Sequence, residues 1–325
     1  MGILILLTTA IIWGGAFLFQ KMGGDHVGPF AFTVYRNVLA GFFLLGVMAV
    51  RRRAGTARPT MGRDSRRAGT ARPTMGWDSR RAGTAFIGRP ELIAGACCGF
   101  ALWVPSMLQQ IGIADCSPGT CAFLTANYAL IIPVLALALG KRPRWYVWPG
   151  VAAALTGTFL ICLMGAGEFA LGRGEALTLL CAFFYAVQLL VVDHFVARVD
   201  VLGLSCVQFF TGAILGLPFL LLPSESAHLN LADLRAAAVA IAFCGVFSSG
   251  VAYTLQNVGQ KMVSAAIAGI VLSLESVFGV FFGWLAGFCG WIPVCEVMTP
   301  RRICGYALVF AAIVFTQVLD ARRTK

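Results

Sequence analysis

Stretches such as 151–164 and 236–247 are apolar on every side, and a helix with no polar face must lie in a large core or in lipid. There are too many of these runs for one soluble core. With 59% hydrophobic and 12% charged residues and a mean hydropathy of +0.83, the 325-residue chain falls outside the composition of soluble domains. Ten spanning helices of about 20 residues would use about 200 residues, which the apolar runs supply. Porin-like barrels alternate apolar and polar positions, and these runs do not. The expected fold class is all-α integral membrane. Residues 1–20 lack the basic start and small-residue cleavage site of a secretory leader, so the first apolar run is expected to persist as a span.

The formal charge of +11 does not point to nucleic acid, because +9 of it sits between Arg51 and Arg89, where eleven arginines face Asp64 and Asp78. Cationic loops beside apolar spans stay on the cytoplasmic side. Most of this segment is a 14-residue tandem repeat that begins at Arg52, recurs at Arg66 and starts again at Arg80. Poor in large apolar residues, it is expected to be disordered, either touching anionic lipid headgroups or merely extending a tolerant loop. Of the eleven cysteines, nearly all fall in apolar helices and read as packing residues; Cys289 and Cys295 flank a short outer stretch where either a disulfide or two free thiols would fit.

Hydrophobic runs and Gly/Pro punctuation predict helices at 3–20, 29–50, 91–113, 118–140 and 146–164, then at 174–193, 201–222, 234–257, 264–287 and 302–319. With the amino terminus inside, nineteen basic residues fall on the cytoplasmic side and five outside, so both termini are expected to be cytoplasmic. The two halves resemble each other. Leu108-Gln109-Gln110-Ile111-Gly112 matches Leu255-Gln256-Asn257-Val258-Gly259 at an offset of 147, which also pairs Ser117 with Ser264 and Tyr128 with Glu275. Five spans per copy turn the second copy upside down, and inverted repeats place a solute site near the bilayer midplane between them. The domain reading is a first repeat at 1–50 and 91–165, an Arg-rich cytoplasmic loop at 51–90, and a second repeat at 173–320.

Polar side chains in mid-span are costly unless they face a partner or a wet cavity. Glu275, halfway along its helix, is the one carboxylate at such depth: it either exchanges a proton as the cavity changes exposure, coupling transport to a proton gradient, or fixes the fold by hydrogen bonding. Tyr128, with Thr125 and Asn127, would line the same cavity or bond between helices. Arg36, about 10 Å inside the outer end of its span, would bind a substrate carboxylate, pair with Glu275, or snorkel to the interface. Trp103, Ser106 and Gln110 form one polar stripe; Tyr253, Gln256 and Gln260 form another; Trp13, Phe17 and Gln20 form a third, each suited to packing or to a solute pathway. The stripe Gly279-x-x-x-Gly283-x-x-x-Gly287 is expected to pack helices closely, within one chain or across a homodimer.

The three histidines lie apart, so no metal site is expected, and no cofactor is implied. No P-loop and no Ser/His/Asp set appears. The expected partners are a small-molecule substrate and the lipid bilayer, with no nucleic acid. The alternatives from other classes are a membrane-embedded lipid-modifying enzyme, which would need a catalytic cluster at one interface, and a lipid-binding scaffold built on the Arg-rich loop.

Trp13-Gly14-Gly15 with Arg36 in the next span, Phe123-Leu124-Thr125-Ala126-Asn127-Tyr128 before Pro133, and Ser273-Leu274-Glu275-Ser276 before Glu296 and Gly305 together resemble the drug/metabolite transporter superfamily, specifically proteins with two EamA domains. The resemblance covers both apolar halves and leaves out the Arg-rich loop. It implies ten helices, cytoplasmic termini in the cell membrane, a cavity between the repeats, and export or uptake of small metabolites, amino-acid-like and drug-like compounds among them. Two departures stand out: Ser276 where the family often has proline, and the insertion at 288–295.

Overall fold

The computed structural model describes residues 1–56, 87–138, 145–164, 168–169, 171–263, 265–291 and 299–323. Expectations for most of the Arg-rich loop, for Lys141, Arg142 and Arg144, and for Cys295 and Glu296 lie outside the described residues.

The described chain is helical apart from one antiparallel pair of two-residue strands, Leu163–Met164 with Glu168–Phe169, at the join between the halves. In order the helices are α1 (Gly2–Gly24), α2 (Pro29–Thr56), α3 (Arg89–Asp115), α4 (Pro118–Ala126), α5 (Tyr128–Ala138) and α6 (Val147–Cys162), then α7 (Arg173–Val196), α8 (Val201–Gly216), α9 (Pro223–Ser226) and α10 (Leu231–Ala242). A π-helical stretch, Phe243–Tyr253, carries α10 into α11 (Thr254–Gln260), followed by α12 (Ala265–Ser273), α13 (Glu275–Phe288) and α14 (Pro300–Arg323). Among the described residues, eight helical segments are long and apolar enough to cross a membrane. Phe42, Phe100, Leu155, Val239 and Phe281 stand exposed on their outer faces, which suits contact with acyl chains rather than water.

Two spans are broken in the middle. Asn127 separates α4 from α5: its side-chain amide donates back to Phe123 O (3.2 Å) and Leu124 O (3.1 Å), capping the end of α4. Leu274 separates α12 from α13, and there Ser276 Oγ donates to Ser273 O at 2.7 Å. Side-chain donors thus satisfy carbonyls that the break releases, as lipid requires. The π-helical stretch has a similar effect, because its wider turns leave carbonyls open to other helices: Trp13 Nε1 donates to Ser248 O (3.3 Å) and Thr9 Oγ1 to Ala252 O (3.4 Å).

Helix ends are fixed locally. Ser117 accepts the Thr120 N–H to start α4, Asp200 caps α8 and Asn230 caps α10. The amino end of α2 is capped from a distance, since buried Glu225 on α9 accepts the Ala31 N–H at 2.8 Å.

In packing, α3 lies along α7 and α8, α2 along α8, α6 along α14, α1 along α13 and α12, and α7 along α5 and α4. Glycines set the closest approaches. A Cβ on Gly157 would lie 2.7 Å from Gly305 O, and one on Gly305 would lie 2.8 Å from Gly157 O, so α6 and α14 meet backbone to backbone. Gly112 and Gly174 join α3 to α7 in the same reciprocal way. In the Gly279–Gly283 stripe both glycines are buried within the chain, and a Cβ on Gly279 would run into the Ala122 side chain of α4. Small residues let dispersion contacts accumulate where lipid supplies no hydrophobic drive.

Cysteine pairing differs from expectation. Cys116, at the carboxyl cap of α3, is bonded to Cys121 in α4, with their Cα atoms 6.5 Å apart. The Ser-Pro-Gly turn between them brings the sulfurs together, a juxtaposition that the reading of these cysteines as packing residues passed over.

Candidate functional site

The two breaks and the π-helical stretch converge on one buried space. About 450 Å³, counting solvent at its mouth, is enclosed by side chains from both halves: Trp13, Gln20, Arg36, Gln109, Thr125 and Tyr128 from the first, and Tyr185, Gln188, Ser248, Tyr253, Gln256 and Glu275 from the second, with Ala16, Phe17 and Leu189 between them. Tyr128 opens α5 and Glu275 opens α13, so each is the first helical residue after a break. The position at the start of α13 gives the Glu275 carboxyl the favourable end of a helix dipole. Glu275, Tyr128 and Arg36 are all at least 95% buried.

Hydrogen bonds arrange the walls. Tyr253 Oη donates to Tyr185 Oη (3.3 Å), Tyr185 Oη to Gln109 Oε1 (3.2 Å), and Gln109 Nε2 to Thr125 Oγ1 (3.2 Å), a run that ties the π-helical stretch to α7, α3 and α4. The Trp13 ring packs on Tyr253 with centroids 4.6 Å apart. Gln256 Nε2 donates to Gln260 Oε1 (2.8 Å), and Gln260 Nε2 reaches Leu189 O (3.2 Å).

Other polar atoms in the same walls have no partner: Arg36 Nε, Tyr128 Oη, Gln188 Nε2, Gln256 Oε1 and Glu275 Oε1. Tyr128 Oη lies close enough to the Glu275 carboxyl for the two groups to interact. Arg36 and Glu275 do not form an ion pair with each other. The one hydrogen bond from the Arg36 guanidinium goes to Gln20 Oε1, at 3.4 Å. Buried polar atoms without partners cost free energy unless water or a ligand meets them. This cavity therefore presents a cation, a carboxyl and several amide or hydroxyl groups, all set for a polar guest.

Of the eight residues singled out from the sequence, Trp13, Arg36, Tyr128, Tyr253, Gln256 and Glu275 line this cavity. Asn127 and Trp103 do not. Asn127 spends its amide on the α4 carbonyls, and Trp103 packs its ring 5.4 Å from Phe219, away from the cavity. Arg36 does not snorkel; it faces inward. Sequence reasoning missed Tyr185, Gln188 and the wall role of Gln109. The signal was present for the first two, which stand three apart on one face of an otherwise apolar helix, α7. No group of His, Cys, Asp or Glu among the described residues is arranged to hold a metal ion.

Comparison with known proteins agrees with this architecture. An uncharacterized transporter from Archaeoglobus fulgidus is 22% identical over 322 residues, covering 96% of this chain and 84% of the relative. A second uncharacterized transporter from that organism is 23% identical over 290 residues, 87% of this chain and 88% of its own length. One from Haemophilus influenzae is 31% identical over 109 residues, 34% of this chain and 63% of that protein. A solved crystal structure superposes with a TM-score of 0.64 at 17% identity, covering 100% of this chain and 99% of the other, which establishes a shared fold. The sequence model of the EamA-like transporter family matches residues 1–163 and 172–318, and the chain accordingly belongs to that family of multi-pass membrane transporters.

Proposed function

We propose that the protein is a secondary transporter of the cell membrane that moves a small polar organic metabolite by alternating access, in the direction of export. The observation that carries this reading is the cavity: Arg36 and Glu275, buried, of opposite charge and unpaired with each other, face one space whose walls leave several polar atoms without partners. A purely structural pair would be joined, because separated buried charges are costly. A solute with an anionic group for Arg36, a donor for Glu275 and a flat apolar part for Trp13 and Tyr253 satisfies all of them.

Ten spans in two inverted repeats, at 1–50 with 91–165 and at 173–320, give the motion a framework. With the helices of the two halves taken in order, α2 packs on its own counterpart α8 and α6 on α14, while α1 lies on α13 and α12 just as α7 lies on α5 and α4. This reciprocity supports a twofold relation in the membrane plane, about which one bundle rocks against the other. Glu275 is the proton-coupling group in this reading, and both termini are cytoplasmic.

A metabolite screen of cells overproducing the protein, set against the Arg36→Ala/Glu275→Gln double variant, tests the assignment. One or more small solutes should shift between cells and medium with the native protein and not with the double variant. Identical profiles would overturn it.

A further inference from the structure

A second space of about 550 Å³, counting solvent at its mouth, lies beside the central cavity, between the ends of α1 and α3 and the start of α7. Its rim is exposed at Ala114, Asp115 and Arg173, and its floor is buried at Gln20, Gln110 and Ile113. Lys21 braces the rim, donating from Nζ to Ala114 O at 2.6 Å. The space is thus a funnel that narrows onto two glutamines.

Gln20 belongs to both spaces. From the funnel side, Gln110 Nε2 donates to its backbone oxygen at 3.1 Å; from the central side, Arg36 Nη1 donates to its side-chain Oε1 at 3.4 Å. One residue held by one hydrogen bond on each face forms the partition. Each holder keeps an atom in reserve, since Gln110 Oε1 and Arg36 Nε have no partner. Gln110 is 99% buried, so its orphan acceptor calls for a donor from a guest in the funnel. Arg36 calls for an acceptor. A carboxylate or phosphate offers the guanidinium a charge-assisted bond roughly twice as strong as one to a neutral amide, so an anionic group in the central cavity outcompetes Gln20 for Arg36.

Resting on the transport reading above, we propose that the funnel is an antechamber binding donor-bearing polar solutes, and that the Gln20 partition, pinned at its backbone by Gln110 and at its side chain by Arg36, is its gate, loosened when an anionic group in the central cavity draws Arg36 from the Gln20 side chain. The antechamber then communicates with the central cavity only after the central site is occupied or Gln20 is otherwise freed.

The test uses the full-length protein in sealed vesicles of both orientations and a membrane-impermeant maleimide, with labelling of each introduced cysteine read by mass spectrometry. Ala114→Cys reports the rim and Ser248→Cys the central cavity. Ala114→Cys should label from one membrane face only, at a rate indifferent to the gate. Ser248→Cys should label slowly from that face, and Gln110→Ala should raise its rate about fivefold, the worth of one net hydrogen bond. Gln110→Asn, too short to reach Gln20, and Arg36→Ala should act in the same direction, and unchanged yield and melting behaviour of these variants separates gate release from misfolding. Equal Ser248→Cys rates in all four backgrounds, or an Ala114→Cys that labels from neither face, would overturn the gate. Labelling needs no solute, so a protein that fails every transport assay and still shows the rate change would refute the transport reading and keep the gate.

Discussion

Glu275 and Arg36 matter because of what they do not do: each is buried, and neither is joined to the other. In proteoliposomes, Glu275→Gln should abolish the pH dependence of flux while leaving solute exchange measurable, since the amide keeps the shape and loses the titratable proton; a pH profile like that of the native protein would remove the residue from coupling. Arg36→Ala should weaken anionic and zwitterionic solutes by about tenfold to a hundredfold, the value of a hydrogen bond to a charged group, and cations far less. Uniform loss for all solutes in a competition assay would assign Arg36 to structure. At this scale the sequence was informative wherever a costly side chain sat in mid-span, which is why Arg36, Tyr128 and Glu275 were legible. It was less informative for amides. Gln109 is placed near a span end by hydropathy, yet it bridges Tyr185 and Thr125 in the cavity wall. Asn127 sits in the same run as Tyr128, but one position along a helix turns a side chain by about 100°, and its amide ends on the carbonyls of the preceding turn.

The elements that shape the cavity are interrupted ones, and their interruptions were the part of the fold hardest to foresee. Neither Asn127 nor Leu274 is a strong breaker, and Pro133, in the first of these spans, lies past the break inside α5. The offset of 147 pairs Asn127 with Leu274 and Tyr128 with Glu275, so the two breaks fall at equivalent places in both copies even though their residues differ. What persists between the copies is therefore the position of the break, with a cavity-lining polar side chain, Tyr128 or Glu275, as the first residue after it. The π-helical stretch gave no periodic signal, because its mixture of aromatic, aliphatic and small residues fits an α-helix equally well. Helix pairing, by contrast, leaves a testable mark. Gly157 and Gly305 allow α6 and α14 to touch, and Gly305→Val should force them apart at a cost of about 1–3 kcal/mol, read as a lower melting temperature in detergent. Gly46→Ala, inside α2 and with nothing within 4 Å of the added carbon, should cost no stability and raise it by up to about 1 kcal/mol. Equal effects for the two substitutions would contradict the packing described.

For the whole molecule, the apolar runs and the charge asymmetry were sufficient to indicate a multi-pass helical protein, and the internal offset was sufficient to suggest two copies. Hydropathy could not supply the packing between copies, because lipid-facing and helix-facing sides are equally apolar. Deleting residues 52–79 should leave membrane insertion and solute flux intact, since none of them is among the residues that line the cavity; loss of flux from a normally inserted protein would assign the basic repeat a direct role. The account rests most heavily on the opposed threading of the two halves. Asp115, the last residue of α3, and Met262, just beyond α11, are both exposed and are related by the offset of 147. Single-cysteine variants at these two positions, labelled in sealed vesicles with an impermeant thiol reagent, give the most direct measurement. Asp115→Cys should react only from the outer face and Met262→Cys only from the cytoplasmic face; reaction of both from the same face would contradict the account.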